Sequence, residues 1–132
     1  MVALLEESDW RMRKRDDAII LFKTNDGKIS VDVRFDEETA WLTLDRMAEL
    51  FERDKSTISR HINNVFDEGE LERKATIANF AMVQKEGVRE VTRQIEYFNL
   101  DVIISVGYRV KSLRGTQFRQ WATKRLNEYI GE

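Results

Sequence analysis

The chain has 132 residues, a size that fits one compact domain able to fold without disulfides or metals. It contains no cysteine, which excludes a disulfide framework, a thiolate metal site and a cysteine nucleophile. The formal net charge is -2, so overall charge does not by itself indicate a nucleic-acid partner. No stretch approaches the roughly 20 apolar residues of a membrane span, and the start is too short and too acidic for a signal peptide. We therefore expect a soluble, cytoplasmic protein.

The chain is predicted to begin with a tail, residues 1–17, followed by one domain, residues 18–132. The tail contains a basic cluster for which solvation is favoured over contact with a phosphate backbone. An apolar run at residues 19–22 precedes a turn signal at 25–27, and apolar residues then alternate with polar ones over 29–33. This pattern predicts a β-hairpin whose turn uses the glycine of the Asn-Asp-Gly sequence.

A third short strand is predicted at residues 40–42. Thr43 is a suitable N-cap for a helix from residue 44 to about 52. Asp54 is predicted to cap a second helix, from residue 55 to about 66. The two helices are joined by about three residues, which is the spacing of a helix-turn-helix.

The second half of the chain predicts another hairpin and two more helices. β-branched and aromatic residues between 75 and 98 surround a turn at 85–87, and Asn99 can cap a short helix. The last helix is predicted over residues 116–130. The expected fold is α+β: a winged-helix-like helix-turn-helix domain with two β-hairpins and a C-terminal helix.

The second helix of the pair carries the predicted function. Ala48 is small enough to let the helices approach, and Ile58 is expected to fill the gap between them. At about 100° per residue, the opposite face contains arginine, asparagine and hydroxyl side chains that suit base edges and phosphates, and it contains no acid. The predicted DNA contacts on this helix are Lys55, Ser56, Thr57, Ser59, Arg60, Asn63 and Asn64.

Three positions depart from the usual helix-turn-helix pattern. Glu52 stands where the turn often has glycine, and Arg53 stands where an apolar residue is common. His61, the only histidine, is predicted to be a partly covered packing residue, because it has no partners for a zinc site or a catalytic triad. The alternative interpretation of the pattern is an ordinary helical hairpin with a polar outer face.

An acid-free window extends from residue 102 to 127. Within it, Arg109, Lys111 and Arg114 are predicted to contact phosphates, and the alternative is a solvated surface. The last helix carries Phe118 and Trp121, for which closing the domain core is the favoured role.

The end of that last helix predicts association. Tyr129 and Ile130 are expected to support a homodimer, since aromatic and apolar residues left exposed often mark an interface.

Several stretches of the chain resemble the RhuM virulence-protein family of bacteria. They are residues 25–28 (NDGK), 40–43 (AWLT), 47–51 (MAELF), 97–101 (YFNLD), 106–110 (VGYRV) and 114–123 (RGTQFRQWAT). The resemblance implies a DNA-binding protein of pathogenicity islands or mobile elements. The last stretch is also similar to the Phe-Arg-x-Trp element of phage antirepressor domains. Family members are usually longer, so the resemblance implies an N-terminal domain or a short member.

Two functions remain as alternatives. The first is sequence-specific binding of double-stranded DNA by a transcriptional regulator or a virulence-associated protein. The second is an antirepressor-like module that binds another protein, which suits the acidic chain better. An enzyme is not expected, because the adjacent Glu37 and Glu38 have no histidine, cysteine or glycine-rich loop beside them. No cofactor, metal or membrane partner is predicted.

Overall fold

The computed structural model describes residues 18–36 and 38–130, and within these ranges every side chain except those of Ala18, Met82, Tyr129 and Ile130. The predicted tail, residues 1–17, lies outside the described residues. The described part has an α+β fold, as the sequence predicts, with one antiparallel sheet and five helices.

Five strands form the sheet, and its spatial order is β1-β2-β3-β5-β4. The strands are β1 (Ala18–Lys23), β2 (Ser30–Phe35), β3 (Ala40–Leu42), β4 (Ile77–Glu86) and β5 (Arg89–Asn99). Both predicted hairpins and the third strand are confirmed. The turns at Gly27 and Gly87 have φ angles of 75° and 68°, which glycine adopts without a Cβ clash. The sequence did not predict that β3 joins the two hairpins, through the pairs Trp41 with Asn99 and Leu42 with Phe98.

Five helices accompany the sheet. They are α1 (Leu44–Phe51), α2 (Lys55–Asp67), α3 (Arg73–Thr76), α4 (Leu100–Arg109) and α5 (Leu113–Ile130). The four longer helices are confirmed, whereas the four-residue α3 was not predicted.

The predicted start of the last helix at residue 116 is wrong by three residues. Ser112 accepts a hydrogen bond from the backbone N–H of Arg114 (3.2 Å), so the helix begins before Gly115 rather than after it. Gly115 interrupts the helical pattern in the sequence, but it lies inside the helix because it packs closely against Gly107.

The core lies between the helices and one face of the sheet. Burial alternates along β2, where Val31, Val33 and Phe35 point into the core and the residues between them do not. Phe118 of α5 is completely buried, and the ring of Trp121 lies 5.4 Å from that of Phe35. Both residues therefore close the domain core, as favoured from the sequence.

Candidate nucleic-acid interface

Both ends of α1 are well formed, whereas Asp54, the predicted cap of α2, stands at the start of that helix without a side-chain cap hydrogen bond. The Thr43 hydroxyl accepts a hydrogen bond from the backbone N–H of Arg46 at 3.1 Å, which is an N-cap. At the other end of α1, Glu52 adopts a left-handed conformation (φ 55°, ψ 52°), and the N–H of Arg53 bonds to the carbonyl of Ala48 at 3.1 Å. This is a Schellman ending with glutamate at the position that glycine usually occupies. The departure noted at residue 52 therefore leaves the turn geometry intact.

The inner side of α2 is apolar. Ile58, Ile62 and Val65 are buried, and Met47, Leu50 and Phe51 of α1 are buried with them. Ile58 is fully buried, as predicted, and Ala48 is half-buried against the core. Because one face of α2 is fixed in the core, the opposite face has a defined orientation.

The outer side of α2 is polar and contains no acid before Asp67. Among the predicted contacts, Lys55, Ser56, Arg60 and Asn63 are exposed, whereas Thr57, Ser59 and Asn64 are half-buried. Lys55 forms an ion pair with Asp45 at 3.3 Å, and both side chains are exposed. Arg60 has no ion-pair partner within the described part of the chain, so its guanidinium is available to a ligand.

A groove of about 370 Å³ separates α2 from strand β5. Ser59 and Asn63 line one wall, and Gln94 and Glu96 line the other. Arg73 also lines the groove, where it donates a hydrogen bond to the Asn63 side-chain oxygen at 3.2 Å, and its guanidinium lies 4.6 Å from the centre of the Phe66 ring. Sequence reasoning missed Arg73, because its short helix α3 gives no periodic signal.

The β4–β5 hairpin extends beyond the rest of the sheet. Its strands have ten and eleven residues, yet only the last two residues of β5 pair with β3. Lys85 and Arg89 flank its turn and are exposed, whereas Arg93 is paired with Glu86 at 2.7 Å. The sequence predicted the hairpin but did not identify these exposed cations at its tip, where the strand register places Lys85 opposite Glu90 and Arg89 opposite Glu86.

Two of the three predicted phosphate contacts near the junction of α4 and α5 are engaged in ion pairs. Arg109 donates to Glu68 at 2.7 Å and to Glu70 at 2.8 Å, and only 22% of its side chain is exposed. The carboxylate of Glu68, followed by that of Glu70, raises the pKa of the Arg109 guanidinium. Hydrogen bonds from Arg109 and Ser105 lower the pKa of the Glu70 carboxyl. The charge of Arg109 is therefore balanced by two carboxylates, and Arg109 does not form a free cationic surface.

Arg114 is similarly paired, with Glu52 at 2.8 Å, and its side chain is 20% exposed. Lys111 differs from both arginines, because it is exposed and no acid in the described ranges lies within ion-pair distance. Lys111 also has a left-handed backbone, with φ at 55°, and it follows the end of α4. Of the three predicted phosphate contacts, Lys111 is the one that forms no ion pair with an acid of the described ranges.

Arg53, the second departure from the usual pattern, has a structural role. One guanidinium nitrogen donates to the backbone oxygen of Phe51 at 3.1 Å, and the other donates to that of Val110 at 3.0 Å. Arg53, Arg109 and Arg114 therefore all connect the α1–α2 region to α4 or α5. We call them the linking arginines, because they fix the helix pair against the C-terminal helices.

His61 is half-buried, as predicted for a packing residue. Desolvation, followed by the positive charges of nearby arginines led by Arg60, lowers the pKa of its imidazole. The uncharged form is therefore favoured, and the charge of the α2 surface at neutral pH comes from Lys55 and Arg60.

The residues on which the predicted homodimer depends, Tyr129 and Ile130, lie outside the described side chains.

Among the described residues, no helix is both long enough and apolar enough to cross a membrane. The predicted site residues thus separate into an exposed set on α2, the exposed Lys111, and two arginines already paired with acids.

Comparison with known proteins covers the C-terminal part of the chain. No curated protein and no solved structure matches the chain. Residues 75–132, which include β4, β5, α4 and α5, match the family model described as the virulence protein RhuM family. The α1–α2 pair lies before the matched segment. The resemblance drawn from the sequence is confirmed for residues 75–132, which are similar to the virulence protein RhuM family.

Proposed function

We propose that this domain binds double-stranded DNA in a sequence-specific manner, with α2 in the major groove. The observation that carries the proposal is the outer face of α2. It is fixed by a buried inner face and a Schellman turn, it is free of acids before Asp67, and it presents Arg60 without a competing partner. Such a helix fits the width of the major groove and has the donors that base edges accept.

The topology around α2 supports a winged-helix arrangement. Strand β3 precedes α1, the hairpin β4–β5 follows α2, and β3 pairs with β5. In this arrangement the β4–β5 hairpin is the wing. Its tip residues Lys85 and Arg89 then contact phosphates beside the groove, whereas Ser59 and Asn63 face the base edges between helix and wing.

The linking arginines take a different role in this proposal from the one predicted from the sequence. Arg109 and Arg114 hold acids of the helix pair, so they orient α2 rather than contact phosphates. Lys111 remains a phosphate contact. This division accounts for how an acidic chain can still present a locally basic surface.

Selection of bound duplexes from a random pool, followed by affinity measurement, tests the proposal. Arg60→Ala should weaken binding to the selected sequence by about 1–3 kcal/mol and relax the base preference at one position. Lys124→Ala, which removes an exposed cation from α5, is the control and should leave affinity unchanged. Equal affinity and equal selectivity of the Arg60→Ala protein would refute the assignment of α2 as the recognition helix.

The proposal extends to oligomeric state and cellular role. One recognition helix contacts only a few base pairs, so we propose that a homodimer occupies two half-sites. Sedimentation equilibrium should then give twice the 15.6 kDa of the single chain, at least in the presence of DNA. We place the protein in the cytoplasm as a non-enzymatic transcriptional regulator of virulence or mobile-element genes, a role suggested by the similarity of residues 75–132 to the virulence protein RhuM family.

A second candidate function, binding of another protein, is favoured by one surface. Tyr108 is 85% exposed and Leu113 is 83% exposed, and both line a cavity of about 630 Å³ between α4 and α5. Lys111 and Arg119 lie on the same rim, so the surface fits an acidic, apolar segment. If no duplex is enriched from a random pool by folded protein, this second function is favoured over DNA binding.

A further inference from the structure

The cavity between α4 and α5 is lined by one face of each helix. On α4 the lining residues are Ile104, Gly107 and Tyr108. On α5 they include Gly115, Thr116 and Arg119. Because residues three and four positions apart lie on the same side of an α-helix, each set forms one stripe. We call the space between the two stripes the α4–α5 groove.

Large apolar side chains border the α4–α5 groove and are exposed. Tyr108 is 85% exposed and Leu113 is 83% exposed, and the half-buried Ile104 lines the same cavity. Single exposed apolar residues are common on protein surfaces, whereas several around one cavity are typical of a binding site. The volume of about 630 Å³ is also in the range of cavities that hold a ligand. The groove therefore has room for apolar side chains of a partner.

The two helices that line the groove are held firmly in place. A Cβ atom at residue 107 would lie 3.3 Å from the Cα of Gly115, so the helix backbones are in close contact. Arg109 and Arg114 connect the same two helices to acids near the α1–α2 pair. Because the groove is formed before any ligand binds, little conformational entropy of this protein is lost on binding.

Four cations lie between residues 109 and 119, and they divide into two pairs. Arg109 and Arg114 have acidic partners, at 2.7 Å and 2.8 Å. Lys111 and Arg119 have no ion-pair partner within the described ranges, and both line the cavity. None of the described residues that line the cavity is an acid. The unpaired charges of this region are therefore beside the groove, where they attract a ligand with negative charge.

We propose that the α4–α5 groove binds an amphipathic helix of a partner protein. The apolar side chains of that helix pack against Tyr108 and Leu113, and its acidic side chains pair with Lys111 and Arg119. A helix laid in a groove between two helices is a common mode of recognition, because its side chains repeat at the spacing of the stripes that it contacts. The inference rests on the second candidate function, binding of another protein, and it is independent of DNA binding by α2.

The positions of the two cations set the spacing of the acids on the partner helix. Lys111 lies in the turn between α4 and α5, whereas Arg119 lies six residues after Leu113, which is about 9 Å along the axis of α5. Two acids spaced i and i+7 on a helix are about 10 Å apart along its axis, which matches this separation. An apolar stripe between the acids then faces Tyr108 and Leu113.

Other macromolecules match the groove less well. The phosphate backbone of a duplex has negative charge but no aliphatic surface for Leu113. A second copy of the chain lacks a free amphipathic helix among the described residues, because the apolar faces of α1, α2, α4 and α5 are buried in its own core. A partner protein with an acidic, amphipathic helix fits both the apolar surface and the charge.

An NMR titration of the isotope-labelled full chain with a synthetic helix tests the proposal. The probe is a stapled helical peptide of about 16 residues, with leucines spaced i, i+3 and i+7 and two glutamates spaced i and i+7 beside them. The control peptide has glutamine in place of both glutamates. The glutamate peptide should shift the amides of Tyr108, Leu113 and Thr116, leave residues 55–64 unchanged, and bind about tenfold more tightly than the glutamine peptide.

Charge reversal separates specific ion pairs from general attraction. Lys111→Glu and Arg119→Glu should each weaken binding of the glutamate peptide, and the two together should favour a third peptide with lysine in place of both glutamates. Lys124→Glu makes the same change of charge at an exposed residue of α5 outside the cavity, so it is the matched control and should keep the preference for glutamate.

Several results would overturn the proposal. Absence of shifts at the groove with either peptide at millimolar concentration would remove the second candidate function together with this inference. Equal affinities of the glutamate and glutamine peptides, with shifts at the groove, would keep protein binding but refute an acidic partner. Shifts of the same amides on raising the protein concentration alone would identify a second copy, and binding of phenylacetate as tight as that of the glutamate peptide would identify a small apolar acid. No duplex is present in these samples, so DNA binding by α2 stands or falls separately.

Discussion

Gly107 lies where α4 crosses α5 and contacts Phe51, and its substitution by alanine gives the sharpest test of the packing. A Cβ atom at residue 107 would lie 3.1 Å from two carbons of the Phe51 ring and 3.3 Å from the Cα of Gly115. These distances are shorter than ordinary van der Waals contacts. Phe51 is 2% exposed and packed on all sides, so its ring has little room to move.

Two opposing effects set the change in the free energy of unfolding caused by Gly107→Ala. Replacing glycine with alanine inside a helix stabilises it by about 1 kcal/mol. Forcing an extra methyl group into a tightly packed core costs about 1–3 kcal/mol. We expect Gly107→Ala to lower the free energy of unfolding by about 1 kcal/mol, which corresponds to a fall of about 4 °C in the melting temperature.

Gly115→Ala is the matched control, because a Cβ there meets its nearest atom at 3.4 Å and the ring of Phe51 at 3.5 Å. Chemical denaturation of both variants should show Gly107→Ala destabilised and Gly115→Ala unchanged or stabilised. Phe51→Leu, introduced with Gly107→Ala, should remove part of the penalty in a double-mutant cycle. Equal stability of Gly107→Ala and Gly115→Ala would contradict the close packing of Gly107 against Phe51 and α5.

Three other predictions concern the helix ends and the charges near α2. Lys111→Gly should raise the free energy of unfolding by about 0.5–1 kcal/mol in chemical denaturation, because residue 111 has a positive φ and follows α4 in a Schellman ending; an unchanged stability would contradict the strain. Lys111→Ala should reduce the steepness of the plot of log binding constant for DNA against log salt concentration by about 0.9. An unchanged slope would show that Lys111 contacts solvent and not a phosphate. Glu70→Gln should destabilise the protein at neutral pH. The pKa of Glu70 is lower in the folded state, so its contribution is present above the unfolded pKa and is lost as pH falls through the folded pKa. Denaturation of wild type and variant across this pH range should show the difference shrinking on acidification, and a constant difference would refute the prediction.

Local signals were sufficient for most of the secondary structure. The turn glycine at residue 27, the N-caps at Thr43 and Asn99, and the periodicity of α2 act over a few residues, and each predicted element formed near its expected bounds. The start of α5 was misplaced because glycine is a poor helix former in isolation. Here Gly115 lies inside α5, where it allows a close contact with Gly107 of the preceding helix α4.

Contacts between distant residues were the ones that the sequence did not predict. The β3–β5 pairing unites the two hairpins across the whole helix pair, and no local pattern records it. Arg109 lies about 40 positions from its acidic partners, so its position in an acid-free window gave the wrong impression of an uncompensated charge. The outer face of α2, by contrast, follows from helical periodicity alone.

The central claim, that α2 and the β4–β5 hairpin form a DNA-binding surface, is tested most directly by chemical-shift mapping. The measurement uses the isotope-labelled full chain, titrated with the duplex enriched from a random pool. We predict the largest shifts at amides of residues 55–64 and of residues 85–89, with α5 unaffected. Shifts that cluster instead around Tyr108 and Leu113, with α2 unchanged at saturating duplex, would contradict the account.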